Sequence, residues 1–403
     1  MQLNLRHLQC FREVARLGSL GAAGRALHLS QPAVTQAIAG LETQFGAELL
    51  TRHARGVSPT PAGAICLDRI DRALSQLHDA LQETRTQDGQ RVDLMRLVRS
   101  RQLGALSAVV ELGNFKAAAR ARRTSQSSVH RSARELEKVL GLALFERTSF
   151  GLTPTRDAQR LALRIRLAFG ELSQAQAEVQ SMQGGGSGRT VIAALPLARS
   201  YLVPAALLEF SQEYPDHGVE IIDGTYANLL ASLRNGESDI LIGALRDPVP
   251  GPDIVQEHLF DDPLAIIARA HHPLAGRRPT VAALRKYRWI APRKGSPLRA
   301  QFDALLTGGT QRPAASLECN SLAAARAFLL ESDRLMLLSA HQIHYEIAAG
   351  LLVALPHPSG KVLRPIGFTL RKNWRPTRQQ ERLLEVLRRV ARAAAASHAV
   401  RSA

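Results

Sequence analysis

The chain carries one stretch twice, and this repetition constrains its fold more than any other feature. Residues 8–60 overlay residues 103–155 without a gap at an offset of 95, with 19 of the 53 paired positions identical. Self-similarity at a fixed offset marks two copies of one folding unit. The identities fall at points of punctuation. Leu17-Gly18 matches Leu112-Gly113, Ser30-Gln31 matches Ser125-Gln126, and Leu41-Glu42 matches Leu136-Glu137. Gly46 matches Gly141, Arg52 matches Arg147, and Gly56 with Pro59-Thr60 matches Gly151 with Pro154-Thr155.

In the first copy Leu8, Phe11, Val14 and Ala15 share one helical face, closed by Gly18, a residue that accepts a left-handed C-cap. Leu20, Ala23, Ala26 and Leu27 continue as a short second helix whose small residues let another helix cross closely. Ser30 then reads as the N-cap of a third helix, with Pro32 in its first turn and Val34, Ile38 and Leu41 as its buried stripe. Gly46 closes that helix, and Leu49-Leu50 and Val57 read as short strands flanking a basic hairpin tip. Three helices plus a two-stranded wing make a winged helix-turn-helix, a geometry that puts the third helix into the major groove of DNA.

The open face of that helix carries Ser30, Gln31, Pro32, Ala33, Thr35 and Gln36. Amides and hydroxyls suit base edges and phosphates, and Pro32 and Ala33 offer apolar contact to a thymine methyl. Arg52 and Arg55 on the wing suit phosphates or the minor groove. Singly, each of these side chains is as well explained by solvation, or by pairing with a carboxylate. Their recurrence as a set favours DNA contact: the second copy presents Ser125, Gln126, Ser127, Ser128, His130, Arg131 and Arg147 at equivalent positions. There His130-Arg131 replaces Thr35-Gln36 and Arg120, Arg122, Arg123 and Arg134 crowd the region, a chemistry better suited to phosphate than to bases.

The segments GSLGAAGRALHLSQPAVTQAIAGLETQFGAELLTR and NFKAAARARRTSQSSVHRSARELEKVLGLALFERT both resemble the DNA-binding segment of LysR-type transcriptional regulators. The usual plan of that family has one such segment per chain, so the duplication leaves open which copy reads the operator. The resemblance implies a sequence-specific regulator of transcription that binds double-stranded promoter DNA, with RNA polymerase as a further possible partner.

After the first wing, Pro61 to Gln82 reads as a helix, and the polar stretch 84–90 separates it from the second copy. After the second wing a longer helix carries Leu161, Ile165, Ala168, Leu172, Ala175 and Val179 three and four apart, a coiled-coil-like seam. Such a helix either packs on its own domain or, as the resemblance implies, links two subunits into a homodimer or homotetramer. Gly184-Gly185-Gly186-Ser187-Gly188 reads as a flexible joint, with neither the strand before it nor the Lys-Ser/Thr after it that a phosphate loop needs.

From Arg189 short apolar runs alternate with helices, an α/β pattern with parallel sheets. The stretches PAALLEFSQEYP, LRNGESDILIGAL, HHPLA and GLLVAL resemble the effector-binding half of the same family. That half is similar to periplasmic solute-binding proteins, with two subdomains around a ligand cleft. The expected fold is thus multidomain, tandem winged helix-turn-helix units followed by an α/β effector domain. The boundaries expected are 1–83 and 92–155 for the two copies, 156–183 for the linker helix, 189–375 for the effector domain and 376–403 for a C-terminal helix. Subdomain I would span 189–266 and 344–375, with subdomain II between.

In open α/β sheets ligands sit beyond the carboxyl ends of strands, near helix N-termini. That rule selects Ser200, Gly224, Thr225 and Arg246 in the first subdomain, and Pro292, Ser296, Asn320 and Ser321 in the second. Ser, Thr and Asn are also the commonest helix caps, so the case rests on their convergence on one cleft. A small polar effector, a sugar or a small carboxylate, suits such donors.

Formal charge is +17 over 403 residues, which suits a polyanionic partner. The excess is spread along the chain, with 25 basic and 16 acidic groups before residue 184, so charge alone does not locate the DNA-binding part. Cys10, Cys66 and Cys319 lack metal-ligand spacing and read as buried thiols. No signal-peptide pattern and no membrane-length apolar run is present, so the expectation is a cytoplasmic protein. No nucleophile motif or His/Cys ligand set points to an enzyme, a metal or a cofactor. The rival reading is an architectural, nucleoid-type DNA-binding protein, which leaves the C-terminal half without a purpose.

Overall fold

The computed structural model describes residues 4–54, 56–83, 93–149, 151–184, 188–306 and 317–401. Arg55, the polar stretch 84–90 and Gly185 to Ser187 of the expected joint lie outside the described residues. The chain divides into two compact units, Met1–Gly188 and Arg189–Ala403.

The first unit holds both copies. Helices α1 (Leu5–Leu17), α2 (Leu20–Leu27) and α3 (Gln31–Phe45) precede a wing of β1 (Leu50–His53) and β2 (Gly56–Pro59), and α4 (Pro61–Glu83) follows. A single turn α5 (Leu94–Leu97) leads into α6 (Ser100–Leu112), α7 (Phe115–Ala121) and α8 (Gln126–Leu140). The second wing is β3 (Phe145–Thr148) with β4 (Gly151–Pro154), and α9 (Arg156–Met182) completes the unit. The repeated residues explain why the same unit forms twice. Ser30 and Ser125 cap α3 and α8 by accepting from Ala33 N and Ser128 N. Gly46 and Gly141 end those helices at φ 69° and 70°, where a Cβ would be strained. His28 and Arg123, also paired by the offset, both take the left-handed turn between the two helices of the motif, at φ 55° and 50°.

One continuous core runs through both copies, from Leu8, Phe11, Val34 and Leu41 to Leu103, Leu106, Val129 and Leu136. Its centre is the packing of α4 on α9, which run antiparallel: Arg69 meets Glu178 at 3.0 Å while Glu83 meets Arg164 at 3.7 Å. The seam of α9 (Leu161, Ile165, Ala168, Leu172, Ala175 and Val179) is fully buried in this core. The seam, which the resemblance implies would join two subunits, thus has a partner within its own chain. Within this chain it is covered by α4, the equivalent helix of the first copy, which reaches it because α4 carries the same apolar spacing.

The second unit is an α/β domain on one nine-stranded mixed sheet, ordered β10-β9-β11-β8-β13-β7-β5-β6 with β12 also on β8. Its elements are β5 (Arg189–Ala194), α10 (Val203–Glu213), β6 (Gly218–Ile222), α11 (Tyr226–Arg234), β7 (Ile240–Ala244) and β8 (Ile254–Arg269). Then come α12 (Val281–Leu284), β9 (Trp289–Ala291), α13 (Pro297–Leu306), β10 (Leu317–Glu318), α14 (Leu322–Leu330) and β11 (Leu335–Ser339). The remainder is α15 (His344–Ala348), β12 (Leu352–Leu355), β13 (Leu363–Arg371) and α16 (Arg378–Arg401). Strands β5, β6 and β7 pair in parallel, but β13 runs antiparallel to both β7 and β8, and β8 antiparallel to β11 and β12. The expected parallel pairing thus holds for β5 with β6 and β7 and for β9 with β10 and β11, within a sheet that is mixed as a whole.

Strand β8 is the spine shared by both halves. Residues 254–263 pair with β13, and 264–269 with β11 and β12. The side chain of Asp262 fastens the crossing: fully buried, it accepts from Ser339 Oγ at 2.6 Å and from Arg364 Nη2 at 2.8 Å. Two differences from the expected boundaries follow. Strand β12 belongs to the sheet of the second subdomain, so the return to the first comes after Leu355 rather than at residue 344. Helix α16 buries Leu383, Leu384, Val386 and Leu387 in the core of the first subdomain with Phe210 and Phe368, so it is an integral part of that subdomain.

Candidate DNA interface and effector cleft

In α3, Gln31, Pro32 and Gln36 are exposed, Ala33 and Thr35 half-buried, and Val34 is buried beneath them. The Thr35 hydroxyl donates to Gln31 O at 3.1 Å, and Ser30 serves as the cap, so the amides exposed on this face are those of Gln31 and Gln36. In α8, Gln126, Ser127, Ser128 and Arg131 are exposed at the same positions. His130 differs from expectation. Its ring stacks on Phe115 with centroids 3.8 Å apart and planes 4° apart, so one face is already used in holding α7 against α8. Of the surrounding arginines, Arg120 and Arg123 are exposed. Arg134 pairs with Glu137 at 3.2 Å, and Arg122 folds against Gly104, where burial pulls its guanidinium below its ordinary value.

Both wings are tied to their recognition helices by a device the sequence reading did not assign. Glu42 Oε1 accepts from Leu49 N at 2.9 Å and Leu50 N at 3.3 Å. Glu137 Oε1 accepts from Leu144 N at 2.9 Å and Phe145 N at 3.2 Å. Thr60 and Thr155 add a second pair of ties, donating to Glu48 O and Ala143 O while accepting from Gly63 N and Ala158 N. The available signal was the identity of these Glu and Thr residues in both copies. The wings thereby hold Arg52 and Arg147 exposed beside α3 and α8.

In the second unit the chosen cleft residues form two groups. Ser200 and Gly224-Thr225 belong to neighbouring turns joined by an ion pair between Arg199 and Asp223. The guanidinium of Arg246 lies 4.0 Å over the ring of Tyr226, beside Thr225, and burial, together with the like charge of Arg364 and against the opposing effect of Tyr226, leaves its pKa lowered. The Arg246 backbone is fixed at both ends by Gln256, which accepts from its N–H at 2.9 Å and donates to its carbonyl at 2.8 Å. In the other group Arg299 donates to Pro292 O at 3.2 Å and to Glu318 at 3.4 Å, which draws the Pro292–Ser296 turn towards Asn320-Ser321. Pro292 itself is buried and its carbonyl is engaged, so it shapes the turn, whereas Asn320 and Ser321 are exposed. Thr225, Ser296 and Ser321 all accept from helix N–H groups, at 3.3, 3.2 and 3.3 Å, and Ser200 donates to Pro196 O at 2.8 Å.

A ring contact that spans the two subdomains comes from residues the sequence reading passed over. Tyr201, in the turn Ala198–Leu202, has its ring 5.2 Å from His341 and 5.6 Å from His344, which follow β11. Elsewhere Cys10 and Cys66 are buried, and burial pushes the Cys66 thiol up to about 12, so neither is a ready thiolate. No described helix is long and apolar enough to cross a membrane.

Comparison with known proteins bears on both units. The pattern of the bacterial regulatory helix-turn-helix protein, lysR family, matches residues 5–64 and again 100–159, and that of the LysR substrate binding domain matches residues 183–392. The HTH-type transcriptional regulator GalR of Pseudomonas putida is 35% identical over 369 residues, covering 91% of this chain and 92% of its own. PcaQ of Agrobacterium fabrum is 31% identical over 294 residues, 71% of this chain and 94% of that protein. Among solved structures, ArgP of Mycobacterium tuberculosis matches with a TM-score of 0.53 at 23% identity, covering 72% of this chain and 96% of that one. Full-length LysG of Corynebacterium glutamicum matches with a TM-score of 0.52 at 18% identity over 72% of this chain and 96% of its own. With two lysR-type helix-turn-helix copies before a LysR substrate-binding domain, the chain belongs to the LysR family of transcriptional regulators, and it is a DNA-binding regulator controlled by an effector.

Proposed function

We propose that the first helix-turn-helix copy supplies most of the sequence specificity and the second most of the sequence-independent affinity. The observation that carries this is the difference between two otherwise equivalent surfaces. The first exposes Gln31, Pro32 and Gln36, and the second exposes Gln126, Ser127, Ser128 and Arg131 beside Arg120 and Arg123. Neutral amides with an apolar neighbour suit base edges, whereas hydroxyls and guanidinium groups suit phosphates. Footprinting a promoter site with Gln31→Ala/Gln36→Ala and with Arg131→Ala proteins tests it. The first change should relax sequence preference, at roughly 1–3 kcal/mol for each base-reading amide removed. The second should weaken binding to all sequences and reduce the salt slope by about one. An unchanged footprint and preference in the first variant would make the first copy a silent remnant. An architectural, nucleoid-type role would instead show as nearly equal affinity for promoter and random duplexes across a salt series.

The effector in this reading is a small polar molecule, a sugar or a small carboxylate. It is held by Ser200, Thr225 and Arg246 from one subdomain and by Ser296, Asn320 and Ser321 from the other, with Tyr201 and His341 between them. The support is the Arg199–Asp223 pair and the Arg246–Tyr226 stack, which gather the first group at one end of the sheet. LysG, which shares the fold, is described with bound effector Arg. A Thr225→Val protein should bind DNA but lose its effector response, while Thr225→Ser, which keeps the helix cap, should retain both. Normal responses in both Thr225→Val and Ser200→Ala proteins would remove this cleft from consideration. Chain–chain association into a dimer or tetramer and contact with RNA polymerase complete the reading.

A further inference from the structure

The repeat does not stop at the wings. Carried on at the same offset of 95, it places α4 on the first part of α9, and six positions match: Arg69 with Arg164, Ile70 with Ile165, Ala73 with Ala168, Leu77 with Leu172, Ala80 with Ala175, and Glu83 with Glu178. They lie where the two helices pack on each other, beside unmatched contacts such as Arg72 with Glu171. All eight apolar members are buried in the shared core. The two charged pairs are formed crosswise, Arg69 with Glu178 at 3.0 Å and Arg164 with Glu83 at 3.7 Å.

Exchanging the two copies converts the first of these ion pairs into the second. A contact that maps onto itself when its partners are exchanged is isologous, the signature of a twofold axis. Here the axis lies inside one chain and relates its two halves. Leu5 N, which donates to Ser100 Oγ at 2.9 Å, fits the same relation, because Leu5 and Ser100 are themselves equivalent positions that meet each other. Each recognition helix is fastened to its own linker helix through the paired Glu42/Glu137 and Thr60/Thr155 ties. The pseudo-twofold that relates α4 to α9 therefore also relates α3 to α8.

A duplex presents twofold-related surfaces to such a pair only at an inverted repeat, as for any twofold reader. We propose that a single chain takes an inverted repeat by itself, with α3 on one half-site and α8 on the other, and that the two halves have different sequences. The difference follows from the readers. Pro32, Ala33 and Gln36 stand on one side, and Ser127, Ser128 and Arg131 on the other, about the shared Gln31 and Gln126. Covalent linkage favours this pairing over α4 or α9 seeking a second chain, since a short connection supplies the partner at an effective concentration of about millimolar.

This rests on the proposed reading that both copies touch DNA, and the test separates the two. Full-length protein is used to select sites from a randomised duplex pool, and the selection is repeated with Gln31→Ala and with Gln126→Ala proteins. Both glutamines are exposed, so neither change touches the core. The expected wild-type site is an inverted repeat of unlike halves, with one half relaxed by Gln31→Ala and the other by Gln126→Ala. Native mass spectrometry with the selected duplex in excess should count one chain per repeat. Reversing one half to make a direct repeat should weaken binding at least tenfold. A palindrome in which Gln31→Ala relaxes both halves, with two chains per repeat, would overturn the proposal in favour of the first copies of two chains. A direct repeat read by the same two residues would overturn the pseudo-twofold alone. No enrichment of any sequence would instead refute the reading of the copies as DNA readers, and this proposal with it.

Discussion

Arg69 is the residue on which the pairing of α4 with α9 can be tested most sharply. It is fully buried. Its Nη1 donates to Glu171 and to Gln174, each at 2.8 Å, and its Nη2 donates to Glu178 at 3.0 Å. Burial pulls its pKa down, but the hydrogen bonds to Glu178 and Glu171 more than reverse that, so the guanidinium stays charged. Arg69→Ala leaves Glu171 and Glu178, at 9% and 12% side-chain exposure, facing the place the cation held. Removing one partner of a buried pair costs about 3–5 kcal/mol. Arg72, 3.2 Å from Glu171, still neutralises one carboxylate and sets the expectation at the lower end, about 3 kcal/mol. With a urea m-value of about 2 kcal/mol/M for a domain of this size, the midpoint of the first unit should fall by about 1.5 M. Both tryptophans, Trp289 and Trp374, lie in the second unit, so indole fluorescence follows that unit while far-ultraviolet circular dichroism follows both. The variant should lower the dichroism transition and leave the fluorescence transition in place. Replacing the three buried charged side chains with apolar ones, Arg69→Met/Glu171→Leu/Glu178→Met, should restore most of the loss, because the cation that then loses Glu171, Arg72, is 29% exposed and can be solvated. If Arg69→Ala moves the first transition by less than about 0.5 M, or if the triple variant falls as far as the single one, the cluster is not the buried ionic contact described.

Two further outcomes follow from the structure. Glu137→Ala removes the acceptor shared by Leu144 N and Phe145 N, and it should cost the first unit about 1–3 kcal/mol in urea unfolding. The same protein should show a salt slope for DNA binding about one unit shallower as Arg147 loses its fixed position, and an unchanged slope would detach that wing from the interface. The second concerns His217, which is buried with Nε2 2.8 Å from Thr190 Oγ1, no partner for Nδ1 among the described residues, and a pKa pushed below 6.5 by burial. A histidine with a lowered folded pKa contributes stability that is complete above the unfolded value, about 6.5, and is lost as pH falls through and below it. Fluorescence-detected stability of the second unit should therefore decline below that pH in the wild type and decline less steeply in His217→Asn. Equal slopes would count against the assignment.

The helix-turn-helix copies were legible because their information is local. Caps such as Ser30 and Ser125, left-handed glycines such as Gly46 and Gly141, and a buried stripe at helical spacing all act within a few residues of each other. Strand β8 shows the opposite case. Its first half, Ile254 to Pro263, mixes Gln256, Glu257, His258, Asp261 and Asp262 among few apolar residues and does not read as a strand. Distant partners hold those polar groups: Arg246 is bonded to Gln256, Arg388 to Glu257, and Ser339 with Arg364 to Asp262. A strand stabilised in this way is invisible to hydrophobic periodicity, because its polar side chains are satisfied by residues up to 131 positions away. The cleft was legible only to the level of its turns. Thr225 and Ser321 sit at strand-to-helix junctions as expected, but both also cap their helices, so sequence cannot separate the two roles. Tyr201 and His341 stood out by no motif, and only the crossing of β8 from one subdomain to the other brings their rings together.

The seam on α9 marks where sequence reading is complete in one respect and insufficient in another. Leu161, Ile165, Ala168, Leu172, Ala175 and Val179 announce a helix that needs an apolar partner, and the partner found has the same spacing in Ile70, Ala73, Leu77 and Ala80. Because the two stripes are near copies, the apolar pattern serves α4 with α9, α4 with a second α4, or α9 with a second α9 equally well. What distinguishes these pairings lies outside the stripe. Arg72 of α4 has Leu167 as its counterpart in α9, and Glu171 of α9 has Gln76 as its counterpart in α4. Only the mixed pairing sets Arg72 against Glu171, as observed at 3.2 Å. The difference between the two copies at these positions therefore gives each stripe a preferred partner within its own chain. The same divergence at Thr35/His130 and Gln36/Arg131 leaves the outer faces of α3 and α8 chemically unlike, which is the difference the proposed division of roles on DNA draws upon.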